Sequence, residues 1–420
     1  MKSFILHRPS SPFSAEIILP ASKSISNRLL VMQYLSGNRI AIENLSEADD
    51  TRLMMDLLKK IGHHVSEGNK NGICEIDCQN AGTVFRFLTA VLAQQPGNWI
   101  LTGSDRMLQR PVETLCTALQ ELGASIEYLG KSGFPPVQIQ GAKLRGGRIR
   151  IDASQSSQFV SAMLLIAPYL EGGLKIEFQG SIASRPYIDM TLSLIGNSGI
   201  KYRHEDSLIS IEQGEYSRQS FTVEPDWSSA SYGYEAVALM PGSQILFNGL
   251  SMKSIQGDAI LSDVFKSFGI GSQETGKGLL VSHVAPPAPT FSYNFSNCPD
   301  LVPAIAATCT ALNIGSTLSG LINLRIKESD RLQALQTELS KINSNIEISG
   351  KDTLQISKQS ALVLRKLVHF ETYQDHRLAM ALAPLVVCCE TAEIDNPMVV
   401  AKSYPDFWDD LRKLGFVVKG

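Results

Sequence analysis

A short polar phrase between a strand-like run and an apolar helix-like run recurs six times, at Ser22, Asn80, Ser156, Ser228, Asp300 and Asp375, with successive gaps of 58, 76, 72, 72 and 75 residues. Spacing this regular marks degenerate copies of one supersecondary unit. Each copy opens on a β-rich stretch such as AEIILPAS, GRIRIDAS or YNFSNCPD and passes through the polar turn. A nearly uncharged helical stretch follows, for example SAMLLIAPYL, LVPAIAATCTAL or RLAMALAPLVV. A helix that is apolar all round has to be buried, so these six line the cores. Another strand-like run follows, then an amphipathic helix: DDTRLMMDLLKKIG, RPVETLCTALQELG, RPYIDMTLSLIG, GDAILSDVFKSFG, SDRLQALQTELSKIN and YPDFWDDLRKLG. Five of these close at glycine (Gly62, Gly123, Gly196, Gly269, Gly415), the residue suited to a left-handed C′ position. The unit is therefore strand, buried helix, strand, outer helix, strands, and the class is α/β.

A chain of 420 residues is too long for one core. Six units divide most simply into two domains of three. Hydrophobic residues at 44% and charged residues at 19% are an ordinary soluble balance, and no apolar run approaches the ~20 residues that span a bilayer. The opening MKSFILHRPSSPF reads as neither a secretory signal nor a transit peptide. Seven cysteines without framework spacing fit reduced thiols in a cytosol. Cys74 and Cys78 alternate with apolar residues in CEIDC with no second pair nearby, so they read as strand positions rather than half a metal site.

The turns and the loops that open the outer helices hold the cations: Lys23, Arg28, Arg86, Arg110, Arg185, Lys327, Arg331, Arg377 and Lys402. On a chain of net charge −3 this local basicity suits a small, multiply anionic ligand and argues against nucleic acid. Helix N-termini add unpaired N–H groups and a positive dipole end. Taken singly, each motif has a plain structural reading. Ser22 or Ser24, Asp226, Asp300 and Asp375 read as helix caps, Gly82 as relief in a tight turn, and LRIKESDRLQ as a solvated helix start. Joint occurrence at corresponding places in six units outweighs those readings.

In this order, SKSISNR, NAGT, SSQF, SRPYID, PDWSSASY, NLRIKESDRL, QDHRLAMA and AKSYPDF resemble the 5-enolpyruvylshikimate-3-phosphate synthase family of enolpyruvyl transferases, from Lys23 to Asp406. The resemblance implies a two-domain fold, each domain three βαβαββ repeats around buried helices in an inverse α/β barrel-like arrangement. One lobe would be discontinuous, residues 1–20 plus 226–420, and the other 21–225, with the active site in the cleft between them. The implied transferase reaction moves the enolpyruvyl group of phosphoenolpyruvate to the 5-hydroxyl of shikimate 3-phosphate and releases phosphate, in chorismate and aromatic amino acid biosynthesis.

Matched position by position, Lys23, Ser24, Arg28, Ser156, Ser157, Gln158, Ser184, Tyr187, Asp300, Asn323 and Lys327 would hold shikimate 3-phosphate. Lys23, Gly82, Arg110, Gln158, Arg331, Arg377 and Lys402 would hold phosphoenolpyruvate, arginine suiting carboxylate and phosphate through its planar fork. Asp300, Glu328 and Lys23 are the implied proton-transfer groups, with Asn80, His376 and Asp226 in support. No metal and no cofactor is implied, and a cytoplasmic monomer is expected. Three features depart from the family pattern: Ala21 stands where glycine is usual, Phe87 where proline is frequent, and the stretch from Asp50 to Asn80 is short enough for the first repeat to lack a strand. Three alternatives stand beside this reading, and one of them, a pure repeat scaffold for protein partners, predicts polar diversity without charge convergence and is disfavoured by the cation cluster. The sister transferase that acts on UDP-N-acetylglucosamine offers a reactive loop cysteine, whereas GSDRMLQRPV has none and Cys116 falls inside the following helix. A non-catalytic anion-binding relative would be expected to have lost Lys23, Asp300 or Glu328.

Overall fold

Twelve α-helices alternate with strands gathered into six small sheets in the computed structural model, which describes residues 3–67, 72–154, 156–180, 182–205, 207–343, 345–361 and 364–420. In chain order the helices are α1 (Lys23–Leu35), α2 (Asp49–Ser66), α3 (Gly82–Gln94), α4 (Glu113–Glu121), α5 (Ser157–Ile166) and α6 (Arg185–Asn197). They continue with α7 (Trp227–Leu239), α8 (Leu261–Val264), α9 (Val302–Ala311), α10 (Arg331–Leu339), α11 (His376–Leu382) and α12 (Phe407–Lys413). The odd-numbered helices are the apolar ones and are buried along most of their length. Removing Val84, Phe85, Phe87, Leu88, Val91 and Leu92 of α3 from water is worth roughly 9–18 kcal/mol when counted against a fully extended chain. The even-numbered helices bury one stripe; α2 buries Met54, Leu57, Leu58 and Ile61, the spacing of a single helical face.

Contacts divide the chain into two compact units. The first comprises Met1–Ser22, Glu47–Asp49 and Glu224–Gly420, and the second Lys23–Ser46 and Asp50–Val223. Within the second unit α1, α3 and α5 pack on one another, and within the first α7, α9 and α11 do so. Five of the sheets share one pattern. In Ile73–Asp77, Gly97–Thr102, Val137–Gly141 and Ser125–Tyr128, the first two strands run parallel across α3, and an antiparallel hairpin completes the sheet. The N-terminal strands Ser3–His7 and Ser14–Ile17 complete the sheets of Arg365–Phe370 and Gln244–Asn248 in the first unit. Within the second unit, Gln219–Thr222 supplies the strand parallel to Ile40–Glu43. That last sheet has only two strands among the described residues, which is where the short first repeat predicts a missing one.

Two expectations about the outer helices need correction. Gly62 and Gly196 do not end theirs: α2 runs on to Ser66 and α6 to Asn197, where Gly199 at φ +86° makes the turn. Gly123, Gly269 and Gly415 do take positive φ. GDAILSDVFKSFG is a short α-helical core, Leu261–Val264, between 3-10 turns at Gly257–Ile260 and Phe265–Phe268.

Candidate active site

Helix starts organise the charged side chains. In the first unit, Pro299–Leu301 forms a 3-10 turn leading into α9, and Asp300 projects from it instead of capping the helix. Its Oδ2 accepts from Arg377 Nη2 at 2.8 Å, and its Oδ1 accepts from Arg331 Nη1 at 3.1 Å and lies 3.6 Å from Lys327 Nζ. Arg331 opens α10 behind the N-cap Asp330 and is 1% exposed. It donates from Nη2 to Glu328 Oε2 at 2.7 Å, and from Nε and Nη2 to the two oxygens of Asp375 at 2.7 and 3.2 Å. Asp375 is fully buried, accepts also from Ser329 Oγ, and caps α11 through the Arg377 N–H. One guanidinium thus bridges three carboxylates, and Lys327 and Arg377 balance the remaining charge. Burial alone would push the Asp300 carboxyl up, but Arg377, Lys327 and Arg331 together hold it well below the usual carboxylate range.

Behind Asp300 lies a buried acid that the sequence did not bring forward. Asp258 Oδ2 accepts from Ser228 Oγ at 2.5 Å, while Oδ1 has no hydrogen-bond partner among the described residues. Burial first, then the negative charge of Asp300, pushes its pKa up to about 7. His376 is buried with Nδ1 3.9 Å from Asp375. Asp226 caps α7 by accepting from the Ser229 N–H at 2.7 Å. Asn323 is buried in the 3-10 turn Ile322–Ile326, and Lys402 is half-buried at the end of Pro397–Lys402.

In the second unit Arg28 meets neutral groups. Arg28, one turn into α1, donates to Thr191 Oγ1 (2.7 Å), Ser24 O (2.9 Å), Ser161 Oγ (3.1 Å) and Tyr187 O (3.2 Å). Its guanidinium lies over the rings of Phe87 and Tyr187, 5.4 and 5.9 Å from the centroids. Burial lowers its pKa to about 10. At the start of α3, a Cβ on Gly82 would fall 2.5 Å from Arg86 Nη1 and 2.6 Å from both terminal nitrogens of Arg110. Two buried guanidiniums therefore converge on one backbone position. Arg86 also donates to Gln158 Oε1 at 2.9 Å, and Gln158 Nε2 donates to Thr83 Oγ1 at 3.0 Å, tying the starts of α3 and α5 together. Arg86 is in the sequence-level set of turn cations but not among the residues assigned to a substrate; only its geometry reveals the pairing with Arg110.

Ser156 caps α5 through the Gln158 N–H, and Ser157 is buried beside it. Ser184 precedes α6 in a left-handed conformation (φ +54°), an uncommon one for a residue with a Cβ. Lys23 pairs with Asp50 at 2.9 Å, and Asn80 sits in the turn before α3. Arg185 stands apart, facing outward beside His204 and Asp189. Cys116 is buried inside α4, where burial pushes its thiol up to about 12, away from the range of a reactive thiolate.

Two carboxylates joined through a shared arginine in one unit, and converging guanidiniums in the other, are equipment for proton transfer and anion binding. Residues 7–411 match the family model described as EPSP synthase (3-phosphoshikimate 1-carboxyvinyltransferase). A 3-phosphoshikimate 1-carboxyvinyltransferase of Bacteroides fragilis is 41% identical over 422 residues, covering 99% of this chain and 98% of that protein. One from Colwellia psychrerythraea is 34% identical over 424 residues, covering 97% and 98%. An EPSP synthase structure from Acinetobacter baumannii superposes with a TM-score of 0.74 over 100% of both chains at 20% identity, a likeness of fold.

Proposed function

The chain belongs to the EPSP synthase family, and from that premise we propose that it transfers the enolpyruvyl group of phosphoenolpyruvate to the 5-hydroxyl of shikimate 3-phosphate and releases phosphate, in the biosynthesis of aromatic amino acids. The observation that carries the reading is the bridge of Asp300 and Glu328 through Arg331. Asp300 takes the proton of the 5-hydroxyl as its oxygen attacks C2 of phosphoenolpyruvate. Glu328, as the acid, protonates the methylene carbon and gives a tetrahedral intermediate. The roles reverse when a proton leaves the new methyl group and the C–O bond to phosphate breaks, with Lys23 stabilising the charge on the departing group.

Arg331, Arg377, Lys402, Arg110, Gln158, Lys23 and Gly82 form the phosphoenolpyruvate set in this proposal. Ser24, Arg28, Ser156, Ser157, Gln158, Ser184, Tyr187, Asn323 and Lys327 join Lys23 and Asp300 for shikimate 3-phosphate. Asp300, held far below its ordinary range by cations, is a poor base as it stands. Phosphoenolpyruvate competing for Arg377 weakens that hold and raises the basicity of Asp300 when the hydroxyl is in place. Asn80, Asp226 and His376 serve as supports, Asp226 through the start of α7. Residues 1–20 with 226–420, and residues 21–225, are the proposed domains. A cytoplasmic monomer without a nucleic-acid partner completes the proposal, supported by the net charge of −3. No helix among the described residues is long and apolar enough to cross a membrane.

The buried thiol of Cys116 is unsuited to the reactive role expected in the UDP-N-acetylglucosamine transferase. The test is phosphate release from phosphoenolpyruvate with chelator present, in parallel with shikimate 3-phosphate and with UDP-N-acetylglucosamine. Release with the first acceptor alone is expected; release with the second alone, or with neither, overturns the proposal.

A further inference from the structure

Arg28 is 2% exposed, and among the described residues no carboxylate lies within ion-pair distance of it. Four of its five N–H groups donate to hydroxyl and carbonyl oxygens, all along the edge of the guanidinium plane. A buried cation is expensive to hold with neutral partners alone. The compensation available is on its face. Phe87, itself 1% exposed in α3, presents its ring to the guanidinium 5.4 Å from the centroid, and the electron-rich face of an aromatic ring attracts a cation more strongly once water is excluded. A ring under the face fixes the plane and consumes no N–H donor. Neither the capping pattern nor the charge pattern gives Phe87 a task; as a core residue alone it would fill volume that leucine or methionine also fills.

We propose that Phe87 is a positioning residue for Arg28, holding the guanidinium plane through a cation–π contact and so setting the affinity for the anionic hydroxy-acid phosphate acceptor. This rests on the reading that Arg28 belongs to the shikimate 3-phosphate set. Phosphoenolpyruvate is assigned to other cations, so the effect is confined to one substrate. The burial that lowers the Arg28 pKa agrees with a charge whose support is electrostatically lean.

The test compares Phe87→Leu with a chain carrying 3,4,5-trifluorophenylalanine at position 87, which keeps the ring's shape and drains its negative face. Dissociation constants for shikimate 3-phosphate are measured by calorimetry, and KM for each substrate and kcat by phosphate release. Phe87→Leu is expected to weaken shikimate 3-phosphate about ten-fold and the fluorinated ring about three-fold, with KM for phosphoenolpyruvate and kcat changed less than about two-fold. Unaltered binding with the fluorinated ring, whatever leucine does, reduces Phe87 to a packing residue and overturns the proposal. So does a parallel loss for both substrates. Should the leucine variant fail to fold, the nearly isosteric fluorinated chain decides alone. Arg28→Ala separates the premise from the inference: if it leaves shikimate 3-phosphate binding intact, the assignment of Arg28 is at fault. If it weakens that substrate while the fluorinated ring does not, the assignment stands and the role of Phe87 fails.

Discussion

Arg28 and Arg331 are both fully buried arginines at the start of helices, yet their surroundings drive them in opposite directions. Arg28, in the second unit, sits among hydroxyls, carbonyls and two aromatic faces, and burial pulls its pKa down to about 10. Burial acts on Arg331 in the same sense, but Asp375, Glu328 and Asp300 outweigh it and push its pKa above the ordinary value. The contrast separates two uses of one side chain. A guanidinium with neutral partners keeps its charge for an incoming anion, whereas one surrounded by carboxylates serves to place them and set their acidity. In the proposed function this assigns Arg28, in the second unit, to recognition and Arg331, in the first, to placing the proton-transfer carboxylates as well as meeting phosphoenolpyruvate.

The largest effect that tests this division is on turnover. Glu328→Gln removes the proton carrier but leaves Arg331 fixed by both oxygens of Asp375 and by Asp300. We expect kcat to fall by ~10²–10⁴ with shikimate 3-phosphate affinity nearly unchanged. Turnover at the wild-type level in steady-state assays would break the assignment of acid chemistry to this carboxyl. Next in size is a stability effect confined to the first unit. Asp258 has a folded pKa of about 7 against an ordinary 3.8, so folding favours its neutral form. Its contribution is intact below pH 3.8 and is lost as pH rises through about 7, where the buried charge costs about 4 kcal/mol. Asp258→Asn should therefore raise the urea midpoint at pH 8, with the gain shrinking toward zero near pH 4. A pH-independent difference would mean that Asp258 does not titrate in this range.

These residues also show what a sequence discloses. The six-unit architecture was legible because every unit repeats the same change of hydrophobic period, from strand to all-apolar helix to one-sided helix. The pairings made by the N-terminal strands and by Gln219–Thr222 were not, because pairing between segments far apart in the chain leaves no local pattern. The helix ends at Gly62 and Gly196 were misplaced for a related reason: glycine permits a C′ turn but does not compel one when the next residues continue to pack. The turn cations stood out in number, while their pairing did not. Arg86 with Arg110 across Gly82, Asp258 with Ser228, and Asp375 as double acceptor for Arg331 depend on side-chain reach between helices.

A smaller effect should fall on binding alone. Arg28→Ala is expected to weaken shikimate 3-phosphate by ~10–100-fold, the size of a lost charge-assisted contact, and phosphoenolpyruvate by no more than about three-fold. Thr191→Val, which removes one hydrogen bond to Nε, should reproduce the selectivity at a few-fold level. Equal losses for both substrates by calorimetry would erase the partition between the two sets.

The smallest expected change sharpens the comparison inside the second unit. A Cβ at Gly82 would press on the ends of Arg86 and Arg110, which are flexible and can withdraw, so Gly82→Ala should fold normally. The two guanidiniums would separate, and KM for phosphoenolpyruvate should rise several-fold with little change in kcat or in shikimate 3-phosphate affinity. Gly141 supplies the contrast, because a Cβ there would fall 1.7 Å from the Gln95 carbonyl oxygen and 2.5 Å from that of Leu92, both backbone atoms. Backbone at the end of a buried helix has no rotamer in which to retreat, so Gly141→Ala should lower Tm by several degrees and leave the KM of the surviving folded enzyme unchanged. A thermal shift from Gly82→Ala as large as that from Gly141→Ala would show that Arg86 and Arg110 are locked in place, and that the second unit holds its cations as rigidly as the first holds Arg331.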